Sequence, residues 1–406
     1  MTRTLFADVQ VFDGTGREPF PAQVLVEGNR ITAVADRIPR DRRTGARVID
    51  GGGGTLLPGL VDAHAHLGFG STVEHVSKRR DEPAEEKALL VAHAGRVLLD
   101  HGITSAYSGG NRLPRTETAA RKAFAEGWMP GPRLKAASWE GSAGMVEPGV
   151  YDFPGVDGRA SDPDSVSRFV TDMAELGVDI VKLSLSGESA VVHGTSRIVQ
   201  FTDEEVAAAA QAAEKHGVWL TAHAHAAESV KMAVRHGVRA VYHCTFADEE
   251  ALDLLEAARD RVFVAPTPGI IHANLHEAGS EPEPGMEVEA TAEAVREVVP
   301  ELVRRGIRVV PGGDYGFAWN PVGRNLRDLE LFVDWFGFTP AQALRAATQY
   351  GGQIMGMEDE LGLIRPGFLA DMVLVDGDPL EEIGILQDRD RLAVIMKDGK
   401  LHKART

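Results

Sequence analysis

A glycine followed by valine or isoleucine recurs through the middle of this chain, each time after a helix-like run. It stands in His101-Gly102-Ile103, Leu176-Gly177-Val178, His216-Gly217-Val218, His236-Gly237-Val238 and Arg305-Gly306-Ile307. Glycine suits the left-handed residue that ends a helix, and the β-branched residue opens the next strand. Thr202-Asp203-Glu204-Glu205 has the pattern of a capping box ahead of an alanine-rich run. Helices alternating with short apolar strands mean βαβ units and a parallel sheet. About eight strands start near Leu57, Ile103, Pro132, Val178, Val218, Arg239, Arg261 and Ile307. Eight repeats over roughly 300 residues predict an α/β fold of the (β/α)8, or TIM barrel, kind, with reactive groups at the C-terminal ends of the strands.

The two ends of the chain lack this rhythm. Gln23-Val24-Leu25-Val26-Glu27-Gly28-Asn29-Arg30-Ile31-Thr32-Ala33-Val34 reads as two strands around a Gly-Asn turn. Near the C-terminus, Met372-Val373-Leu374-Val375 and Leu392-Ala393-Val394-Ile395-Met396 are again strands bounded by Asp-Gly turns. Isolated strand pairs are marginal in water, so the two ends are expected to share one small β-sandwich. The expected division is a discontinuous β-sandwich from residues 1–57 plus 358–406, with the barrel over 58–357 inserted between. A chain of 406 residues is long enough for two such cores.

A formal net charge of −17 argues against a nucleic-acid or anionic-membrane partner. The single cysteine, Cys244, excludes an intrachain disulfide framework and points to a reducing, cytoplasmic compartment. Residues 1–8 lack the apolar core of a signal peptide, and no apolar run is long enough to span a membrane.

The predicted repeat sorts the fourteen histidines. His101, His216 and His236 fall in the last helical turn before a glycine, at the far end of the strands, where a cation favours the helix dipole. His93 lies mid-helix and His402 near the terminus, and both read as solvated. Others fall where strands end. Val61-Asp62-Ala63-His64-Ala65-His66 closes strand one and Thr221-Ala222-His223-Ala224-His225 closes strand five. Side chains two apart leave one face of a strand, so each pair points the same way. Asp62 shares that parity one step deeper and is placed to hydrogen-bond behind the first pair. His243 ends strand six and Asp314, in Pro311-Gly312-Gly313-Asp314, ends strand eight. Imidazoles and a carboxylate converging at one barrel mouth suit Zn²⁺, with Mn²⁺ or Co²⁺ as alternatives.

Lys182, in Ile180-Val181-Lys182-Leu183, places an amine inside an apolar strand, where a lone charge is costly. Three readings stand: an ion pair with a neighbouring acid, a Schiff-base lysine, or a lysine carboxylated by CO₂. The last turns the amine into a carbamate that bridges two metals, and it completes a two-metal site otherwise short of a bridging anion.

These residues carry a resemblance. The run Leu57-Pro58-Gly59-Leu60-Val61-Asp62-Ala63-His64-Ala65-His66, then Gly131-Pro132-Arg133-Leu134, Val181-Lys182-Leu183, His223-Ala224-His225, His243-Cys244-Thr245-Phe246 and Gly313-Asp314, is similar to the amidohydrolase superfamily over nearly the whole chain. The segments 339–348 and 361–371 match as well. The chain resembles the branch of imidazolonepropionase-like and Xaa-Pro dipeptidase-like enzymes. The resemblance implies two divalent metal ions: one on His64, His66 and Asp314, one on His223 and His243, bridged by carboxylated Lys182. It makes His225 a substrate contact and Asp314 the proton shuttle. It implies hydrolysis of a small-molecule C–N bond, in an amide, carbamate or urea, by water activated between the metals. The alternative is a deaminase or cyclic-amide hydrolase on the same scaffold, against which Lys182 counts. Relatives form dimers up to octamers, so a homo-oligomer is expected.

The loop after strand three, Ala136-Ala137-Ser138-Trp139-Glu140-Gly141-Ser142-Ala143-Gly144-Met145-Val146-Glu147-Pro148, lacks the histidine that relatives often carry there. Tyr151, His193, His272 and Tyr315 are further candidate substrate contacts in mouth loops. Trp139, Met145, Phe153, Phe317 and Trp319 are candidates for an aromatic or apolar wall. The stretch 274–285 reads as a long mobile lid.

Overall fold

The computed structural model describes residues 2–71, 83–142, 162–187, 195–277 and 287–404. The first five strands are β1 (Arg3–Val11), β2 (Phe20–Glu27), β3 (Arg30–Ala35), β4 (Arg47–Asp50) and β5 (Thr55–Pro58). The middle holds β6 (Leu60–Ala65), β7 (Ile103–Ser108), β8 (Arg133–Lys135), β9 (Ala137–Ser142), β10 (Ile180–Ser184), β11 (Trp219–Ala226), β12 (Ala240–Phe246), β13 (Phe263–Ala265) and β14 (Arg308–Val309). The chain closes with β15 (Met372–Val375), β16 (Leu392–Lys397) and β17 (Lys400–Ala404).

Both ends of the chain share one sheet, in the order β17-β16-β15-β5-β1-β2-β3, with β4 on β1. The join is β5, which runs antiparallel to β15 and parallel to β1. Alternation along β1 and β2 gives the sheet apolar residues on both faces. Phe6, Val24 and Met396 belong to one cluster, and Leu5, Leu25 and Ile38 to another.

The middle strands are parallel and form two sheets, β6-β7-β8 and β9-β10-β11-β12-β13-β14. Ala63 donates its N–H to Pro311 O at 2.9 Å, and Ala65 bridges in parallel to Tyr315, so β6 also meets the segment following β14. The expected third strand is divided at Ala136, whose carbonyl accepts from both Asp179 and Ile180. Its first half pairs with β7 and its second with β10.

Helices fill the intervals, and local chemistry sets their ends. Thr202 Oγ1 accepts from Glu205 N and Glu205 Oε2 accepts from Thr202 N, which caps the helix Asp203–His216. The helix ends at Gly217, with φ of 67°, and Gly102, Gly177, Gly237 and Gly306 are also left-handed. Among the described residues no helix is long and apolar enough to cross a membrane.

Two expectations need correction. His402 is not solvated: on β17 it folds back against the helix Ala84–Asp100, and its Nε2 lies 2.6 Å from Asp100 Oδ1. The stretch that reads as a lid begins as regular structure, because Asn274 and His276 finish the helix Pro268–His276, which carries Pro268 at its first turn. Residues 278–286 lie outside the described residues.

Candidate metal centre

The strand period delivers the expected side chains to one place. His64 and His66 leave the end of β6, and Asp314 follows β14. One ligand atom from each lies within 4.8 Å of the others. His66 Nδ1 faces Gly110 O at 2.9 Å, which makes it the donor and leaves the Nε2 lone pair facing inward. That Nε2 sits 3.2 Å from His64 Nε2 and 3.0 Å from Asp314 Oδ1. Electron pairs thus converge from two rings and a carboxylate, an arrangement that a cation between them satisfies. Gly109 makes room for it: a Cβ there would meet His64 Cδ2 at 2.2 Å and His66 Nε2 at 2.8 Å.

A second set forms one side further round, from His223 and His225 on β11 and His243 on β12. Its ring contacts are close, with centroids 4.3 Å apart for His223 and His243 and 4.2 Å for His225 and His243. His225 Nδ1 pairs with Thr245 Oγ1 and His243 Nδ1 with Thr267 Oγ1, each at 2.8 Å. His223 turns its Nε2 to Gly187 O at 3.2 Å, so its Nδ1 edge faces the site. His225, expected as a substrate contact, is drawn into this cluster with the other two.

Lys182 lies between the sets. Its Nζ is 3.3 Å from His64 Nε2 and 3.4 Å from Glu140 Oε2. Glu140 also comes within 3.7 Å of His223 Nδ1. Nothing local marks Glu140 in the sequence, where it falls in a segment that reads as a mouth loop. The signal that finds it is register, since it pairs with Lys182 across β9 and β10.

Electrostatics favour the ligand forms. Burial, and then the Lys182 charge, push His64 well below the ordinary imidazole range. Burial followed by its histidine neighbours does the same to His243. Neutral imidazole is the form that binds metal. Burial pushes the Asp314 carboxyl up, but the hydrogen bond and charge of His66, with Lys182 and His223, hold it below its usual range.

Behind the first set stand two more acids. Asp62 does not reach the imidazoles. It accepts from the His64 backbone N–H at 2.8 Å and from Asn325 Nδ2 at 2.5 Å, and burial raises it to about 6. Asp328 accepts from Gly312 N and Tyr315 OH, both at 2.9 Å. Burial first, and the neighbouring Asp62, raise it to about 8. Asn320 Nδ2 donates to both Gly313 O and Asp314 O at 3.0 Å. Asp328 and Asn320 therefore pin the turn that carries Asp314, whose φ is 58°. His243, Cys244 and Thr267 are left-handed too, at 71°, 54° and 52°. Each such residue costs on the order of 1–3 kcal/mol, and such strain gathers at functional sites.

The other expected contacts separate. Tyr315 is fully buried, with its hydroxyl given to Asp328. His272 packs beside His276, Trp335 and the Glu277–Arg327 pair. Tyr151, His193, Met145 and Phe153 lie outside the described residues. Of the expected aromatic wall, Phe317 and Trp319 stack on each other, and Phe317 meets Phe69 at 5.3 Å. Phe69 in turn stacks on His66 at 4.1 Å. Trp139 is buried and lies under Arg112 at 5.6 Å.

The model of the amidohydrolase family matches residues 55–402. An ochratoxinase of Aspergillus niger is 25% identical over 377 residues, covering 86% of this chain and 75% of that protein. An imidazolonepropionase of Rubrobacter xylanophilus is 26% identical over 415 residues, covering 94% of this chain and 91% of that one. A solved Xaa-Pro dipeptidase with methionine bound in its active site superposes with a TM-score of 0.84 at 27% identity, covering 99% of this chain and 100% of that one.

Proposed function

Since the chain belongs to the amidohydrolase family and is a hydrolase acting on C–N bonds, we propose that it opens an amide, carbamate or urea linkage at a centre of two divalent cations. The observation that carries this reading is the pair of convergent ligand sets, His64–His66–Asp314 and His223–His225–His243, with Lys182 between them. His64, His66 and Asp314 would hold one cation, and His223 and His243 the other. Lys182, carboxylated by CO₂, would bridge them. Zn²⁺ suits these donors best, with Mn²⁺ or Co²⁺ as alternatives. Two such cations supply Lewis acidity and a water that ionises near neutral pH.

The chain's own groups supply the rest. Asp314 is held in its anionic form against burial, so it accepts a proton at a carboxylate oxygen and passes it to the leaving nitrogen. Asp328 and Asn320 fix the turn that aims it. Thr245 and Thr267 orient the rings of His225 and His243. His225 faces the substrate. Phe69, Phe317 and Trp319 give the first cation's side an aromatic wall. The similarity to a Xaa-Pro dipeptidase puts dipeptide-like amides and N-acyl amino acids first among substrates.

The scaffold belongs to this reading. Residues 58–357 make a closed (β/α)8 barrel, supported by the Ala63–Pro311 hydrogen bond and the Ala65–Tyr315 bridge. Residues 1–57 and 358–406 make a discontinuous β-sandwich, supported by the pairing of β5 with β15. The lone buried thiol of Cys244 suits a cytoplasmic protein.

Two measurements test the proposal. Metal analysis of the purified protein should return about two transition-metal equivalents per chain, and one or none would defeat it. The loaded protein should then hydrolyse at least one class in a panel of N-acyl amino acids, Xaa-Pro dipeptides, phenylureas, carbamates and lactams. Turnover of lactams alone would favour the cyclic-amide reading. Lys182→Ala should lose a metal and most activity, with partial rescue by short-chain acids.

A further inference from the structure

Resting on the two-metal reading, we propose that Glu140 is a further protein ligand of that centre, giving a carboxylate oxygen to the cation held by His223 and His243. It acts beside the bridging group on Lys182. Three features of its placement carry this.

The first is register. Glu140 on β9 pairs with Lys182 on β10 in parallel, and neighbours in a parallel pair leave the same face. Glu140 thus projects inward with Lys182, not into the surrounding loops. The second is distance. Glu140 Oε1 stands 3.7 Å from His223 Nδ1, the edge of that ring left to the site by the Nε2 contact with Gly187 O. Ligand bonds of about 2.1 Å in a tetrahedral shell set neighbouring donors about 3.4 Å apart, so the two atoms lie near the spacing that one cation requires.

The third is an unmet demand. The Glu140 side chain is 16% exposed, and its Oε1 is shut off from solvent with no hydrogen bond among the described residues. Its partner oxygen faces Lys182 Nζ at 3.4 Å. An enclosed carboxylate oxygen without a donor is costly, and a cation at the His223 edge removes that cost. If Glu140 served only as the counter-ion of Lys182, its Oε1 would not need to face His223 at all. A carboxylate built into the chain also gives the second position a negative charge that does not depend on CO₂.

The test is a titration of the full-length protein, stripped by chelator, with Zn²⁺ alone, in bicarbonate-free and bicarbonate-supplemented buffer. Calorimetry reads affinity, and Co²⁺ absorption reads the ligand field. Wild type should take two equivalents. Glu140→Gln should bind one of them roughly tenfold or more weakly, leave the other unchanged, and alter the Co²⁺ spectrum of the weakened site. Glu140→Asp keeps the charge beside Lys182 but draws the oxygen back by one methylene, and it should weaken the same equivalent. Wild-type affinity at both sites in Glu140→Gln would overturn the proposal, as would wild-type behaviour of Glu140→Asp should Glu140→Gln fail to fold. Fewer than two equivalents in the wild type would overturn the two-metal reading itself, a failure seen without any variant.

Discussion

Carboxyl groups hold the backbone that carries His64 and Asp314, whereas hydroxyls meet the rings of His225 and His243; His66 and His223 each face a backbone carbonyl instead. Behind the first set stand Asp62 and Asp328, both raised by burial. Behind the second stand Thr245 and Thr267, each on an imidazole Nδ1. The first set includes its own carboxylate, and Glu140 meets the second at His223. The difference assigns labour. The first set combines charge with a turn pinned by Asp328 and Asn320, which suits a group that moves a proton along a fixed line. The second set offers imidazoles, two of them held at Nδ1 by hydroxyls, which suits holding an ion and a carbonyl.

The largest effect should follow from removing the charge of the first set. Asp314→Asn keeps the shape of the side chain but removes the proton acceptor. We expect kcat/KM to fall roughly 10²–10⁴-fold on the best substrate from the panel. The histidine set should keep its metal, as read by metal content per chain. Activity within tenfold of wild type would mean that Asp314 carries no proton, and the division of labour would be wrong.

The next effect separates real ligands from histidines that only end helices. His223→Gln should lose one metal equivalent and most turnover. His216→Gln, at the end of the helix Asp203–His216 away from both sets, should stay within about twofold of wild type. The reverse result would overturn the sorting of the histidines. A smaller effect should follow from the hydroxyls. Thr267→Val leaves the His243 ring in place but removes the partner of its Nδ1, so metal affinity of the second set should drop by roughly 10–100-fold. Equal loss at both metals would erase the contrast between the sets.

Much of this site was legible in the sequence because it depends on short periods. His64 with His66, and His223 with His225, need only the two-residue repeat of a strand to point together. Gly102, Gly177, Gly217, Gly237 and Gly306 announce helix ends through a local backbone demand, and all five are left-handed. What stayed hidden depends on pairing between distant segments. Glu140 reads as a loop residue because its strand divides at Ala136, and only the β9–β10 register turns it inward. Asp328 and Asn320 look like ordinary polar residues of a connecting segment until the chain folds back under Gly312–Gly313–Asp314. Asp62 has the expected parity, but its carboxylate finds the closer His64 N–H before it can reach a ring. His402 pairs with Asp100 across 302 residues, a contact made by the joining of the chain's two ends.

The smallest effect isolates the acids behind the first set. Asp328 ordinarily titrates near 3.8 and is raised to about 8 in the folded protein. Between those values the folded chain holds a proton there that the unfolded chain has released. Stability therefore falls as pH rises through this window, by up to about 1.4 kcal/mol per pH unit for one proton, and what protonated Asp328 contributes is lost by about pH 8. Asp62, raised to about 6, adds to the slope only in the lower part of the window, and Glu117, raised to about 7, adds below that value. Between pH 7 and 8 the slope belongs mainly to Asp328. Asp328→Asn should flatten it there, while its amide oxygen can still accept from Gly312 N–H and its amide nitrogen can donate to the Tyr315 hydroxyl, so kcat should change less than tenfold. Urea unfolding at pH 5, 7 and 8 measures the slope. An unchanged slope in the variant would mean that Asp328 is ionised in the folded protein, and the first set would then rest on a buried charge instead of a buried acid.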